Sequence, residues 1–182
     1  MATKQLSLGS LIREFSGLPG IDGKSHSLVD FEKAKILVIV FSCNHCPYVQ
    51  AYEDRMIAFA KQYDPKGVRL VAINANETEG YPEDSFEAMV KRGNTKGFPF
   101  PYLRDEDQRV ADAFGATHTP EFFVFDQERR LCYHGKMDDN YENPSAVKHR
   151  YLQDAVDALL RGEQVRQPET HSIGCTIKWK RS

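Results

Sequence analysis

A chain of 182 residues, 41% hydrophobic and 27% charged with a formal net charge of −2, has the makeup of an ordinary globular protein, and the near-neutral balance excludes a strongly basic nucleic-acid or membrane-surface binder. It is long enough to bury roughly 70% of the surface its unfolded chain exposes, so one domain with short extensions needs no covalent staple. Four cysteines are too few for a disulfide-dense secreted scaffold.

Ser7, Gly9, Ser10, Arg13 and Glu14 interrupt the start of the chain, which therefore lacks the apolar stretch of a signal peptide. No run approaches the ~18 apolar residues of a membrane span, and a cytoplasmic protein is expected. Residues 1–14 read as an N-terminal extension. Residues 15–24 predict short strands joined by a turn, with Gly20 and Gly23 supplying backbone freedom, and residues 27–31 a further short extended or turn segment. The run Ile36-Leu37-Val38-Ile39-Val40-Phe41 shows no polar alternation, which predicts a strand over 35–42 buried on both faces. Beyond Cys43-Asn44-His45-Cys46-Pro47, the stripe Val49, Tyr52, Met56, Ile57, Phe59 and Ala60 predicts a helix over 48–63, ended by Asp64-Pro65-Lys66-Gly67. A second buried strand over 68–74 completes a β-α-β unit with a right-handed crossover.

After a polar loop, Pro82-Glu83-Asp84-Ser85 opens a helix over 86–92. Two prolines make 98–105 extended, and 108–114 forms a short helix closed by Gly115. Thr117-His118-Thr119-Pro120 then leads into an antiparallel hairpin, strands 121–126 and 130–134. The stripe Val147, Tyr151, Leu152, Ala155, Val156, Leu159 and Leu160 predicts a last helix over 146–161. Residues 162–182 read as a flexible C-terminal tail in which 175–179 forms a short strand. There is no internal repeat.

Chemistry belongs at the junction of the first long strand and its helix. Two thiols three positions apart at a helix start, Cys43 and Cys46, can face one spot and close a disulfide. The unpaired first amides and the positive end of the helix dipole favour a thiolate there. A zinc half-site is the competing reading, but a closed zinc site takes four ligands, and Cys132, Cys175 and the scattered histidines lack the spacing. No metal is expected. Asp138-Asp139-Asn140 with Glu142 also lacks the spacing of a calcium loop.

This order of elements, with CxxC after the first long strand and a Thr-Pro bond entering the hairpin, resembles the thioredoxin fold over residues 15–161. The phrases Phe98-Pro99-Phe100-Pro101-Tyr102-Leu103-Arg104-Asp105 and Thr119-Pro120-Glu121-Phe122-Phe123-Val124-Phe125-Asp126 are similar to the redoxin group related to AhpC/TSA peroxiredoxins and thiol-disulfide oxidoreductases. Cys43-Asn44-His45-Cys46-Pro47-Tyr48 and Ile173-Gly174-Cys175-Thr176-Ile177-Lys178-Trp179 resemble a subgroup known only as redoxin-domain proteins. The resemblance implies an α/β domain, a central mixed β-sheet flanked by helices. It assigns nucleophilic attack to Cys43 and resolution to Cys46, holds Pro120 in cis beside the pair, and turns the Thr119 backbone toward an extended substrate. Asn44, Pro47 and His118 border that groove as substrate-binding candidates. His45, within the motif, is expected to favour the Cys43 thiolate and make the pair more oxidising than thioredoxin.

The departures are informative. Phe41-Ser42 stands where thioredoxin has a Trp before CxxC, and Leu37 stands for its buried acid, leaving Glu77 as a weak proton-transfer candidate. If Cys46 is set at the peroxidatic position of PxxxTxxC, Ile39 replaces the Pro and Cys43 the Thr. The expected activity is therefore thiol-disulfide exchange, with thiol-dependent peroxidase, an antioxidant role, as the alternative, and a noncatalytic redox-sensing or adaptor module using the Pro120 groove as a third. Expected partners are a protein or small-molecule disulfide or thiol and a cellular thiol reductant, with no organic cofactor, nucleic acid or membrane. Cys132 reads as a packed apolar residue, and Cys175 as a candidate third redox thiol.

Overall fold

The computed structural model describes residues 4–182, so Met1 to Thr3 of the expected N-terminal extension lie outside the described residues. A small hairpin, β1 (Leu18–Pro19) and β2 (Ser25–His26), precedes β3 (Ile36–Phe41), α1 (Pro47–Tyr63) and β4 (Val68–Asn74). The chain continues through α2 (Phe86–Lys96), β5 (Tyr102–Arg104), α3 (Arg109–Phe114), β6 (His118–Thr119), β7 (Glu121–Phe125), β8 (Leu131–Gly135), α4 (Tyr151–Leu160) and β9 (Cys175–Thr176). The main sheet runs in the order β5-β4-β3-β7-β8. β3, β4 and β5 are parallel; β7 and β8 are antiparallel to their neighbours, which makes the sheet mixed.

The unbroken apolar runs reflect cover on both faces. Ile36, Val38 and Val40 pack with Val49, Tyr52, Met56 and Phe59 of α1 and with Leu152, Ala155 and Val156 of α4. Their neighbours Leu37, Ile39 and Phe41 face the opposite layer, where Phe114, Phe123 and Phe125 meet Leu6, Phe15 and Phe31. Phe41, Phe114 and Phe123 meet edge-on, with centroids 5.3–5.8 Å apart, the arrangement aromatic quadrupoles favour.

Several expected elements differ, among them β9, which spans Cys175–Thr176 rather than 175–179. α2 continues past Arg92 to Lys96, because Gly93 admits the Ile21 side chain against the helix: a Cβ there would lie 2.1 Å from Ile21 Cδ1. The last helix starts at Tyr151 rather than 146. Residues 144–146 form a 3-10 turn, and the chain beyond it is drawn to the preceding loop, where Lys148 N donates to Asp139 Oδ1 (2.9 Å) and Asp139 N to His149 O (3.2 Å). The tail is tied down rather than flexible. His134 and Pro168–Thr170 exchange backbone bonds at 3.0 Å, β9 pairs with β6, and Ile177, 4% exposed, enters the core beneath it. Lys178 N donates to Asn76 Oδ1 (2.9 Å), and its carbonyl accepts from Gln108 Nε2 (2.9 Å).

Candidate active site

β3 delivers the chain to the edge of the core at Phe41, and α1 begins six residues later at Pro47. Proline suits the first helical position because its fixed φ is helical and its missing N–H would have no partner there. Cys46 is thus the N-cap, extended at φ −73° and ψ 123°. Its sulfur accepts the backbone N–H of Val49, one of the amides every helix start leaves unpaired. Cys43 and Cys46 are 2% and 0% exposed and hydrogen-bonded to each other.

The Thr119–Pro120 peptide, cis as the resemblance implies, faces both thiols. Cys43 Sγ lies 3.4 Å from Thr119 Oγ1, and Cys46 Sγ 3.4 Å from the Thr119 carbonyl oxygen. Two further buried groups set this turn. Glu121, 1% exposed, accepts the amides of Thr117 (2.7 Å) and His118 (3.0 Å), and its other oxygen meets His134 Nε2 at 2.7 Å. His118 itself is half-buried, with Nδ1 2.7 Å from Thr117 Oγ1.

The hydrogen-bond donors converge on Cys46 rather than on Cys43, the sulfur expected to carry the thiolate. The hydrogen bond from Cys43, that from Cys175 and the amides of Val49 and Cys175 together pull Cys46 down to about 4, outweighing the cost of its burial. Cys43 is pushed up because it donates to Cys46, is buried, and lies beside the Asp84 carboxylate. Two adjacent sulfurs share one negative charge, and the donors surround the second.

Asp84 is the acid that sequence reasoning missed. It is 0% exposed and accepts Asn44 N (2.6 Å), Asn74 Nδ2 (3.2 Å), Asn76 Nδ2 (2.9 Å) and His45 Nδ1. In sequence the segment 82–85 only opens a helix; a 3-10 turn over Pro82–Asp84 instead directs Asp84 inward. The available signal was Asn74 and Asn76 at the end of an apolar buried strand, since buried amides need partners. Glu77, the acid considered for proton transfer, caps its own loop by accepting Glu79 N (2.8 Å) and Gly80 N (3.0 Å).

His45 uses Nδ1 on Asp84 and stacks on Tyr81, centroids 5.2 Å apart, so its ordered contact is the carboxylate rather than a thiol. Asn44 also turns inward, donating to Glu83 O (2.8 Å) and accepting from Tyr102 OH (2.8 Å), whereas Pro47 is exposed. One ligand atom each from Cys43, His45 and Asp84 lies within 4.8 Å of the others. Both Asp84 oxygens already receive N–H donors, which accounts for the cluster as a hydrogen-bonded unit.

Cys175 is drawn into this site. β9 pairs antiparallel with β6, Cys175 opposite Thr119, and Cys175 Sγ stands 2.7 Å from Cys46 Sγ. Burial and the neighbouring Cys46 push its thiol up to about 11, against the opposing charge of Lys178. Cys132 sits toward the turn of the β7–β8 hairpin, away from this end of the sheet, and burial with the Asp126 carboxylate pushes it up to about 12.

Residues 8–134 match the AhpC/TSA family. The thiol-disulfide oxidoreductase ResA of Halalkalibacterium halodurans is 28% identical over 114 residues, 63% of this chain and 60% of that protein, so the chain spans less than two thirds of this relative's length. An uncharacterized conserved protein from Geobacillus kaustophilus is 42% identical and superposes with a TM-score of 0.92 over 100% of this chain and 97% of its own. A thioredoxin-family thiol:disulfide interchange protein from Chlorobium tepidum TLS, 20% identical, superposes with a TM-score of 0.66 over 85% of this chain and 98% of its own. The fold is thioredoxin-like.

Proposed function

Because the chain belongs to the AhpC/TSA family, we propose that it is a thiol-disulfide oxidoreductase working through Cys43 and Cys46. The observation that carries the reading is the buried pair at the start of α1, mutually hydrogen-bonded, with Thr119–Pro120 against both sulfurs. The Cys46 thiolate attacks one sulfur of a protein or small-molecule disulfide, forming a mixed disulfide as the substrate S–S bond breaks. The leaving thiolate takes up a proton. Cys43 gives up its proton and attacks the Cys46 sulfur, closing the Cys43–Cys46 disulfide and releasing the second substrate thiol. A cellular thiol reductant returns the pair to the dithiol, and the same steps run backward as oxidation. The chemistry calls for no metal or organic cofactor.

Asp84 and His45 flank Cys43 and position the loop; the acid keeps charge off Cys43 until the Cys46 charge is consumed. Asn44 braces the motif from inside, and His118, Thr119 and Pro120 form the edge that an extended substrate meets. A cytoplasmic location fits a dithiol that a reducing pool must regenerate. Among the described residues no helix is long and apolar enough to cross a membrane.

Trapping decides the assignment. In a disulfide-reductase assay both Cys46→Ser and the double variant Cys43→Ser/Cys175→Ser abolish turnover, and a stable mixed disulfide with substrate accumulates in the double variant, where the attacking Cys46 lacks any neighbouring thiol to resolve it. Accumulation only in Cys46→Ser gives attack to Cys43 instead. Full turnover by either variant removes the dithiol mechanism. The second reading, a thiol peroxidase, is favoured by the single helix-capped thiolate on Cys46; a peroxide-consumption assay that outpaces disulfide reduction would select it.

A further inference from the structure

The C-terminal tail occupies the edge at which the proposed oxidoreductase would meet its substrate, and the role inferred for it rests on that reading of the dithiol. β9 adds antiparallel to β6 directly before the cis bond, with His118 opposite Thr176 and Thr119 opposite Cys175. Ile177 N donates to Thr117 O (2.9 Å), continuing the ladder. This is strand addition to a sheet edge, in which backbone bonds give affinity and one side chain is presented to the site. The presented side chain is a thiol.

The approach is built into the chain. Gly174 is pressed so closely on the turn that a Cβ there would stand 2.1 Å from Thr119 O and 2.7 Å from Thr119 C, a collision with backbone that no side-chain movement relieves. Beyond the site, Ile177 is buried at 4% exposure, and Lys178 is held through both backbone groups: its N–H by Asn76 and its carbonyl by Glu77 N (2.8 Å) and Gln108. Cys175 is partly exposed, whereas Cys43 and Cys46 are sealed beneath it.

We propose that Cys175 is a third redox thiol that takes over the Cys43–Cys46 disulfide by forming a Cys46–Cys175 disulfide, carrying the oxidised bond from the sealed pair to the protein surface. The step is an exchange with no net oxidation. Cys175, having lost its proton to solvent, attacks Cys46 Sγ; the Cys46–Cys175 bond forms, the Cys43–Cys46 bond breaks, and Cys43 leaves with the electron pair and takes up a proton. A thiol reductant then attacks Cys175 Sγ and frees Cys46 as the thiolate, and a second reductant thiol attacks the reductant's sulfur in the resulting mixed disulfide, releasing Cys175 as a thiol and leaving the reductant as its disulfide. The chemistry is self-timed. In the reduced protein Cys175 is held protonated by burial and by the hydrogen bond and negative charge of Cys46. Both contributions of Cys46 vanish when it is oxidised, so burial alone then opposes the Lys178 charge that favours the Cys175 thiolate. The same placement makes the tail an internal occupant of the groove that an external substrate must displace.

Disulfide mapping tests this. The reduced full-length protein is exposed to oxidised glutathione, quenched by alkylation, and mapped by peptide mass spectrometry. Wild type is expected to yield Cys46–Cys175 beside Cys43–Cys46, and Cys43→Ser to yield Cys46–Cys175 as its main internal link. Gly174→Ala is expected to lose the Cys46–Cys175 link through the collision with Thr119. Alkylated, unlinked Cys175 in both wild type and Cys43→Ser overturns the proposal. If Cys43–Cys46 forms and reductase turnover continues under that outcome, only the tail's role falls. If no internal disulfide forms and there is no turnover, the dithiol function falls with it.

Discussion

Removing the Asp84 carboxylate should cost the protein stability and release charge onto Cys43 in the same variant. Asp84 is wholly buried, and the Asn44 amide at 2.6 Å and Asn76 Nδ2 at 2.9 Å have it as their hydrogen-bond acceptor. Asn74 retains Tyr102 OH at 3.3 Å, and His45, at 21% side-chain exposure, can turn to water. Asp84→Ala therefore orphans two buried donors; at about 1–3 kcal/mol for each unsatisfied group, the expected loss is about 2–6 kcal/mol. Asp84→Asn keeps one acceptor oxygen and should lose roughly half as much. Urea denaturation of the reduced proteins reads this as a lower midpoint at unchanged slope. The chemical arm uses a Cys46→Ser background, where alkylation mapped by peptide mass spectrometry reports Cys43 separately from Cys132 and Cys175. Because the Asp84 charge raises the Cys43 pKa, Asp84→Asn should lower the pH at which Cys43 becomes reactive. A stability loss below about 1 kcal/mol for Asp84→Ala, smaller than one orphaned donor, would refute the structural half. An unmoved Cys43 profile would refute the electrostatic half.

The thiolate on Cys46 makes its own pH signature. With its folded value drawn below the ordinary 9.0 by the donors around it, this group binds fewer protons folded than unfolded, so its contribution to stability is fully present above 9.0 and is lost as pH falls through the lowered folded value. Between those limits reduced wild type should gain stability relative to Cys46→Ser as pH rises; a flat difference counts against the assignment. Ultraviolet thiolate absorbance of the reduced protein should likewise persist to mildly acidic pH and vanish in Cys46→Ser. Leu37, 0% exposed, fills the layer beneath the sheet rather than the acid's place, so Leu37→Ala should lower stability by about 2–5 kcal/mol in denaturant titration without changing Cys46 reactivity. Glu121→Gln should raise the KM for a disulfide peptide more than it lowers kcat, because it loosens the amides of Thr117 and His118 rather than a reacting atom; an effect confined to kcat would place Glu121 in the chemistry.

Much of the architecture was legible because its causes are local. Six apolar residues without alternation read as a doubly covered strand, and β3 is buried along its whole length between two layers. Pro47 and the helical stripe located α1 to within one residue, and the boundaries of β4 match those read from its apolar run. The last helix was misplaced at its start because periodicity cannot see the Asp139 carboxylate drawing Lys148 away from helical geometry. Glu77, a weak candidate for proton transfer in the sequence, turns to its own loop for a similar reason: its nearest donors are Glu79 N and Gly80 N.

By itself the sequence determined the pair of thiols and their place at a helix start, since strand and cap are each encoded within a few residues, whereas the proline facing them came from the resemblance to the thioredoxin fold. Tertiary structure alone decided on which sulfur the donors converge. Asp84 lies forty positions beyond Asn44 and reaches the motif through a turn, and Cys175 crosses 129 positions to stand 2.7 Å from Cys46. A thiolate goes where the donors converge and where no carboxylate stands beside it, and that convergence depends on packing between segments remote in sequence.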